Sequence, residues 1–209
     1  MSAAGEPAAI GLRAVRGGCV VVALATGSGA PRLVLSTFLA TAAEGDRLAF
    51  EPYHVAFEIA GGRKDVPDEA AATVAEGRRR QAGMAVSSLA SLVAKLKEVG
   101  NEPAMAAMLV NRAGWMTDLL QHSLSAPAHP PVAEGLAVRE ALRFACRGRG
   151  LPIVEMDEKS LPETAAAVLG LSPGAVDVRL KALGAAAGKP WRKEQKLACL
   201  AAWVALAAP

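Results

Sequence analysis

The stretch GLRAVRGGCVVVALATGSGAPRLVLSTFLAT, residues 11–41, decides how the rest of the chain is interpreted. Its segment CVVVALA is typical of a β-strand, because β-branched residues pack well on a pleated surface. The segment PRLVLSTFLAT has the same character, and TGSGAP between the two contains Gly27, Gly29 and Pro31, residue types that favour a tight turn. We therefore predict a hairpin, preceded by a first strand in AIGLRAV.

Two membrane-related interpretations of the chain termini are less favourable. A signal peptide would use CVVVALA as its apolar core, but about seven residues is the lower limit for such a core. Near the other terminus, LACLAAWVALAAP follows a basic segment, yet about 13 apolar residues are too few for a helix crossing a core of ~30 Å. We expect a cytoplasmic protein with no membrane partner and a buried terminal helix.

The composition of the 209 residues excludes several kinds of site. The net charge of +3 is too small to indicate nucleic-acid binding by itself. The cysteines and histidines, three of each, show no CxxC or HExxH spacing, so the sequence predicts neither a disulfide framework nor a zinc site. We accordingly expect no metal and no cofactor.

A long helix is the clearest element beyond the hairpin. It is predicted from about Pro67 to Val99, because apolar residues recur at helical spacing and Gly100 is suited to terminate it. Gly77 and Gly83 mark places where this helix could break, since glycine is a poor helix former. Residues 44–66, which precede it, are predicted to be an irregular connection.

Shorter strands and helices alternate after the long helix. AMAAMLV (104–110) and LPIVEM (151–156) are continuous apolar runs, typical of strands buried on both faces. Helices are predicted in WMTDLLQH, from Pro131 to Arg147, after a capping box in SLPE (160–163), from Ser172 to near Gly184, and from Pro190 onward. The fold class is therefore α/β, with a mixed sheet whose leading antiparallel strands are flanked by helices in the order βββαβαβα. We expect one domain over residues 9–209, after a disordered terminus at 1–8.

This order of elements resembles the ribonuclease H-like fold and, within it, the RuvC-like resolvases of Holliday junctions. IGLRAVRGGCVVVALA is similar to the opening strand and hairpin of that family. EALRFACRGRGLPIVEM is similar to its helix followed by Gly-[Ile/Leu]-Pro and a strand, and WRKEQKLACLAAWVAL to its final alanine-rich helix. The resemblance covers about residues 9–207 and implies a divergent bacterial member of the superfamily.

The resemblance also implies metal-binding carboxylates at positions where this sequence has other residues. Nucleases of this fold hold two Mg²⁺ ions with carboxylates from separate elements. The first-strand carboxylate falls at Arg13, the fourth-strand carboxylate near Asn111, and the last-helix carboxylate at Lys196 or its neighbours. Catalysis is therefore predicted to be degenerate or lost. Mg²⁺ would be needed only if relocated carboxylates, with Glu134 and Glu194 as candidates, formed a new site.

Cationic side chains supply the candidate contacts to nucleic acid. Arginines recur every four residues along one predicted helix face, and Trp191 stands among cations, a combination that suits phosphate contact and base stacking. The alternative for the helix face is an ordinary solvated surface, with Glu140 interleaved. The candidate nucleic-acid-binding residues are Arg139, Arg143, Arg147, Arg149, Trp191, Arg192 and Lys193.

Three functions are consistent with the sequence. The favoured one is a non-catalytic or degenerate ribonuclease H-like module that binds DNA or RNA. The first alternative is a structural subunit that pairs with a second copy or another chain through an alanine-rich helix face, without nucleic acid. The least favoured is a metal-dependent nuclease with relocated carboxylates.

Overall fold

A computed structural model describes residues 5–26, 30–63, 65–111 and 116–208. Within them, five strands form one sheet in the order β3-β2-β1-β4-β5. Strands β1, β2 and β3 pair antiparallel, whereas β4 and β5 run parallel to β1, so the predicted mixed α/β sheet is confirmed. The strands are β1 (Glu6–Val15), β2 (Gly18–Ala25), β3 (Arg32–Ala40), β4 (Asn101–Val110) and β5 (Ile153–Asp157).

The helices of the described residues cover both faces of this sheet. They are α1 (Arg47–Phe50), α2 (Pro52–Ala60), α3 (Asp68–Glu98), α4 (Leu119–Leu124), α5 (Pro130–Gly148), α6 (Leu161–Leu169), α7 (Pro173–Ala187) and α8 (Lys193–Ala207). Side chains of α6, α7 and α8 form one apolar core with the sheet, and those of α3 and α5 form a second. Strand β2 is buried along its whole length between them, as its CVVV sequence predicts. Among the described residues, no helix is long and apolar enough to cross a bilayer.

Helix α8 lies directly on the central strand at Gly11. A Cβ atom at Gly11 would stand 1.8 Å from the carbonyl oxygen of Ala198, so only glycine permits this approach. The alanine-rich face of α8, which includes Ala201 and Ala202, is fully buried here. This contact fixes the start of α8, and with it Glu194, relative to β1.

Two expectations about the middle of the chain were wrong. Residues 44–66 contain α1 and α2, whose Tyr53 and Ala56 are buried in a small third core with α3 and α5. The sequence of α2 is rich in aromatic and β-branched residues, which obscured its helical spacing. Helix α3 continues through Gly77 and Gly83 without a break, and Gly77 allows the Leu48 carbonyl and Pro52 to pack against it.

Several predicted ends also differ from the structure. The capping box in SLPE is not formed, because the Asp157 carboxylate accepts the backbone N–H groups of Lys159 and Ser160 instead. The last helix begins at Lys193 rather than at Pro190, and α7 continues to Ala187. Strand β1 begins at Glu6, inside the segment expected to be disordered. The predicted turn residues 27–29 lie outside the described residues.

Candidate functional site

The carboxyl ends of three parallel strands bring polar residues together at one edge of the sheet. Arg13 lies near the end of β1, Asn111 follows β4, and Glu158 follows β5. Strand ends in open α/β sheets are the usual position of ligand sites.

Arg13 is held between two carboxylates from different elements. Its Nε and Nη2 atoms donate hydrogen bonds to the Glu158 carboxylate, each 3.1 Å long, in a bidentate geometry. Its Nη1 atom lies 3.7 Å from Oε1 of Glu194, in the first turn of α8. The side chains of Arg13, Glu158 and Glu194 are 20%, 26% and 36% exposed, so the charges are only partly screened by water.

This arrangement does not fit the two-metal site that the resemblance implies. A metal ion needs carboxylate oxygens directed at it, whereas here both carboxylates are directed at the Arg13 guanidinium. Within the ranges described above, no three His, Cys, Asp or Glu side chains converge to hold a metal ion. At this edge of the sheet, a cation of the chain itself stands between the two carboxylates.

A cleft of about 830 Å³ includes Asn111 in its lining, and we call it the strand-end cleft. It lies between α3, α4 and α5 and the ends of β4 and β5, and Arg78, Arg139 and Arg143 line it. Acidic side chains in its wall are Asp118, Glu140 and Glu155.

Arg139 is a cation of this cleft that forms no ion pair with a described residue. Its Nη1 atom donates to Oδ1 of Asn111 at 2.6 Å, but its buried Nε atom has no hydrogen-bond acceptor in the described part of the chain. Burial and the neighbouring Arg143 lower the pKa of Arg139, because both disfavour the charged guanidinium. An anion in the cleft would favour the charged form of the Arg139 guanidinium.

The other arginines of α5 differ in how far they are neutralised. Arg143 donates from Nε to Glu155 at 2.5 Å and also pairs with Glu140, so its charge is largely compensated. Arg147 and Arg149 are exposed and form no ion pair with any described residue. The predicted arginine face therefore has a neutralised cation, Arg143, in its middle. The exposed cations without an ion pair lie at the end of α5.

The predicted residues around Trp191 lie elsewhere. The Trp191 indole packs against Gly184 of α7, where a Cβ atom would stand 2.3 Å from its Nε1, so the ring serves packing. Arg192 and Lys193 are exposed at the start of α8, and Lys193 lines a groove between α6, α7 and α8. The structure does not bring these three residues to the strand-end cleft.

Glu134 and Glu194, the candidate relocated carboxylates, contact different groups. Glu194 lies near Arg13, whereas Glu134 contacts the start of α2. Glu134 is buried, and its Oε1 atom accepts the backbone N–H groups of Tyr53 at 2.8 Å and His54 at 3.1 Å, at the start of α2. Burial raises the pKa of Glu134 to about 7, although these hydrogen bonds oppose the shift. Glu134 thus complements a helix N-terminus, but that of α2 and not of its own helix.

Glu158 is the residue of this site that the sequence alone did not indicate. It follows the apolar run LPIVEM, and a carboxylate just after a buried parallel strand is a usable signal for the carboxyl edge of a sheet. Its pairing with Arg13 depends on the strand order, which places β5 two strands away from β1.

Comparison with solved structures identifies the fold. No protein-family model matches the chain, and no curated protein matches its sequence. Thermus thermophilus RuvC in complex with a Holliday junction substrate is similar over 94% of this chain and 91% of that chain, with a TM-score of 0.55 and 10% identity. A second structure of Thermus thermophilus RuvC is similar over 94% and 92%, with a TM-score of 0.52 and 11% identity. The chain therefore has the RuvC-like form of the ribonuclease H-like fold.

Proposed function

We propose that this protein is a cytoplasmic, non-catalytic ribonuclease H-like module that binds nucleic-acid phosphates in the strand-end cleft. The observation that carries the proposal is Arg139, whose buried Nε has no described acceptor and lies close to a second cation. A charged guanidinium that is partly buried and incompletely paired is costly, and a phosphate in the cleft would supply a counter-charge for it. Nucleic acid is favoured as the ligand because Arg147 and Arg149 continue the row of cations beyond the cleft.

The Arg13 ion pairs support the non-catalytic part of the proposal. Metal-dependent cleavage in this fold requires two ions clamped on the attacking and leaving oxygens. Arg13 engages Glu158 and Glu194, two carboxylates at the carboxyl edge of the parallel strands. A metal ion would have to displace a bidentate ion pair and then face a guanidinium at contact distance, which is electrostatically unfavourable.

The structural likeness is consistent with nucleic acid as the ligand but does not carry the proposal. One of the similar solved structures is a RuvC protein bound to a Holliday junction substrate. At 10% identity that likeness establishes the fold and no more, so the ligand of this chain rests on its own arginines. The alternative of pairing through an alanine-rich face is weakened for α8, because that face is buried against the sheet.

Fluorescence anisotropy with labelled DNA and RNA at increasing salt tests the proposal. We expect binding at low salt. The logarithmic slope of affinity against salt concentration should flatten in the double variant Arg139→Gln, Arg147→Gln by roughly one per lost phosphate contact. The matched control is Arg179→Gln, an exposed arginine on α7, which should leave the slope unchanged. Circular dichroism confirms that each variant is folded. Failure of the wild-type protein to bind any strand at low salt, or equal losses in the control, would overturn the proposal.

A further inference from the structure

A second hollow adjoins the strand-end cleft on the outer surface of α3 and α5. It has a volume of about 310 Å³ and shares Arg78 and Glu140 with the cleft, so the two form one continuous surface. We call it the Phe144 hollow, after the aromatic side chain in its wall. Its volume is at the lower end of the range of about 300–1,000 Å³ that small-molecule pockets occupy.

Small residues create this hollow. Ala75 and Ala82 on α3 face Ala137 and Ala141 on α5, and larger side chains at these positions would fill the space between the helices. The floor between the two helices is therefore lined by small apolar side chains.

The wall of the hollow combines an exposed aromatic ring with cations. Phe144 is 54% exposed and belongs to neither core of the sheet. Arg147 lies one helical turn further along the same face of α5, and Arg79 borders the hollow from α3. Arg79 is paired with Glu76, whereas Arg147 forms no ion pair with a described residue. A single exposed phenylalanine is ordinary. Phe144, however, lies beside an arginine without an ion pair and beside the apolar floor of the hollow, a combination that suits ligand binding.

We infer that the Phe144 hollow binds an unpaired nucleobase, stacked on Phe144, while Arg147 contacts the adjacent phosphate. The inference rests on the proposed function and adds a preference for single-stranded nucleic acid. Bases in a duplex are stacked on one another, so only an unpaired base can present its face to an aromatic ring. Arg78 belongs to both the hollow and the cleft, so one strand can follow the surface from Arg147 to Arg139.

A groove with two other exposed phenylalanines provides the contrast. Phe38 and Phe50 border a different groove, whose cations Arg16 and Arg47 both form ion pairs with Glu51. That groove has no excess of cations for a phosphate, although Phe38, at 52% exposed, is as accessible as Phe144. Phe38→Leu is therefore the matched control for Phe144→Leu.

The test compares a single strand with a duplex of the same sequence by anisotropy, at one low salt concentration. Loss of one base–aromatic stack is worth about 1–3 kcal/mol, so Phe144→Leu should weaken single-strand binding roughly 5- to 150-fold. Duplex binding should change far less, Phe38→Leu should have no effect, and Phe144→Trp should retain single-strand affinity. A 2-aminopurine in the single strand should lose fluorescence on binding to wild-type protein but not to Phe144→Leu.

The outcomes separate this inference from the proposed function. Equal losses for single strand and duplex, or equal effects of Phe144→Leu and Phe38→Leu, would overturn the inference and leave the phosphate-binding proposal intact. A polyglutamate peptide that displaces the strand, and whose own binding is lost in Phe144→Leu, would assign the hollow to acidic peptides instead. Binding of neither strand to the wild-type protein would overturn both.

Discussion

Arg13 and Glu158 form a bidentate ion pair across 145 residues of sequence. Arg13 lies near the end of β1 and Glu158 directly follows β5, so the pair spans the carboxyl edge of the three parallel strands. With Glu194 on the other side of the guanidinium, it joins the sheet to α8 by charge. A cation of the chain itself thus lies between two carboxylates at this edge of the sheet.

The Arg13–Glu158 pair should be measurable by a double-mutant cycle. Because both side chains are less than one third exposed and the geometry is bidentate, we expect a coupling free energy of about 1–3 kcal/mol between Arg13→Gln and Glu158→Gln. Urea denaturation supplies the four free energies of unfolding. The control cycle with Glu194→Gln should give less than about 1 kcal/mol, because that contact is longer and more exposed. Equal coupling in the two cycles would contradict this account of the pair.

Replacing Arg13 by a carboxylate should create an affinity for divalent metal. In Arg13→Asp, three carboxylates from β1, the turn after β5, and α8 would face one another without a cation between them. Such a group repels itself and is relieved by Mg²⁺ or Mn²⁺. Titration calorimetry should therefore detect Mn²⁺ binding to Arg13→Asp, to a lesser extent to Arg13→Ala, and none at this position in the wild-type protein. Mn²⁺ binding by the wild-type protein that Glu158→Gln abolishes would contradict the interpretation of Arg13.

Glu134 should make the stability of the fold depend on pH. Because burial raises the pKa of this carboxyl from 4.5 to about 7, the native state holds the proton more tightly than the unfolded chain between those values. The free energy of unfolding should therefore fall as pH rises from 4.5 to 7, and then level off.

The variant Glu134→Gln isolates this effect. Its amide oxygen can still accept the Tyr53 and His54 N–H groups, so it should be more stable than wild type by about 3 kcal/mol at pH 8 and equal to it near pH 4. Neighbouring groups will modify the size of the effect. They are His54, whose Nδ1 lies 3.6 Å from the carboxylate, Arg16 and Glu51. Glu163→Gln, at an exposed site on α6, is the control and should show no such trend.

The packing of α8 on β1 can be tested with two glycine substitutions of opposite expected sign. Gly11→Ala places a methyl group against the Ala198 carbonyl, and the required shift of α8 should cost about 1–3 kcal/mol or more. Gly83→Ala meets nothing within 4 Å in the exposed interior of α3 and should stabilise the protein by about 0.5–1 kcal/mol. Thermal denaturation followed by circular dichroism distinguishes the two, and a neutral Gly11→Ala would contradict the described contact.

The sheet could be predicted from the sequence because its strands are locally distinct. CVVVALA, AMAAMLV and LPIVEM are short apolar runs bounded by turn residues, and all three are strands of the sheet. The segment PYHVAFEIA was not recognised as helix α2, because its burial depends on a small core built from three other helices. Local spacing cannot reveal a partner that only the complete fold provides.

The site was less predictable than the fold because its contacts join distant elements. The spacing of the arginines predicts one cationic face of α5. The neutralisation of Arg143 by Glu155, however, depends on β5 lying beside that helix. Trp191 stands among cations in the sequence, yet its ring packs against Gly184 of the preceding helix. The ring is therefore used for packing and not for a cationic binding surface. Charge patterns indicated which residues were candidates, and the strand order determined which of them meet.

The most direct test of the central claim is a cleavage assay under conditions where the nucleic acid is bound. Labelled single-stranded, duplex, hybrid and four-way-junction substrates are incubated with excess wild-type protein and Mg²⁺ or Mn²⁺, and each strand is sized on a denaturing gel. Because Arg13 holds Glu158 and Glu194, we predict that every bound strand stays intact. Metal-dependent cleavage that disappears in Glu158→Gln or Glu194→Gln would contradict the account and establish a nuclease with relocated carboxylates.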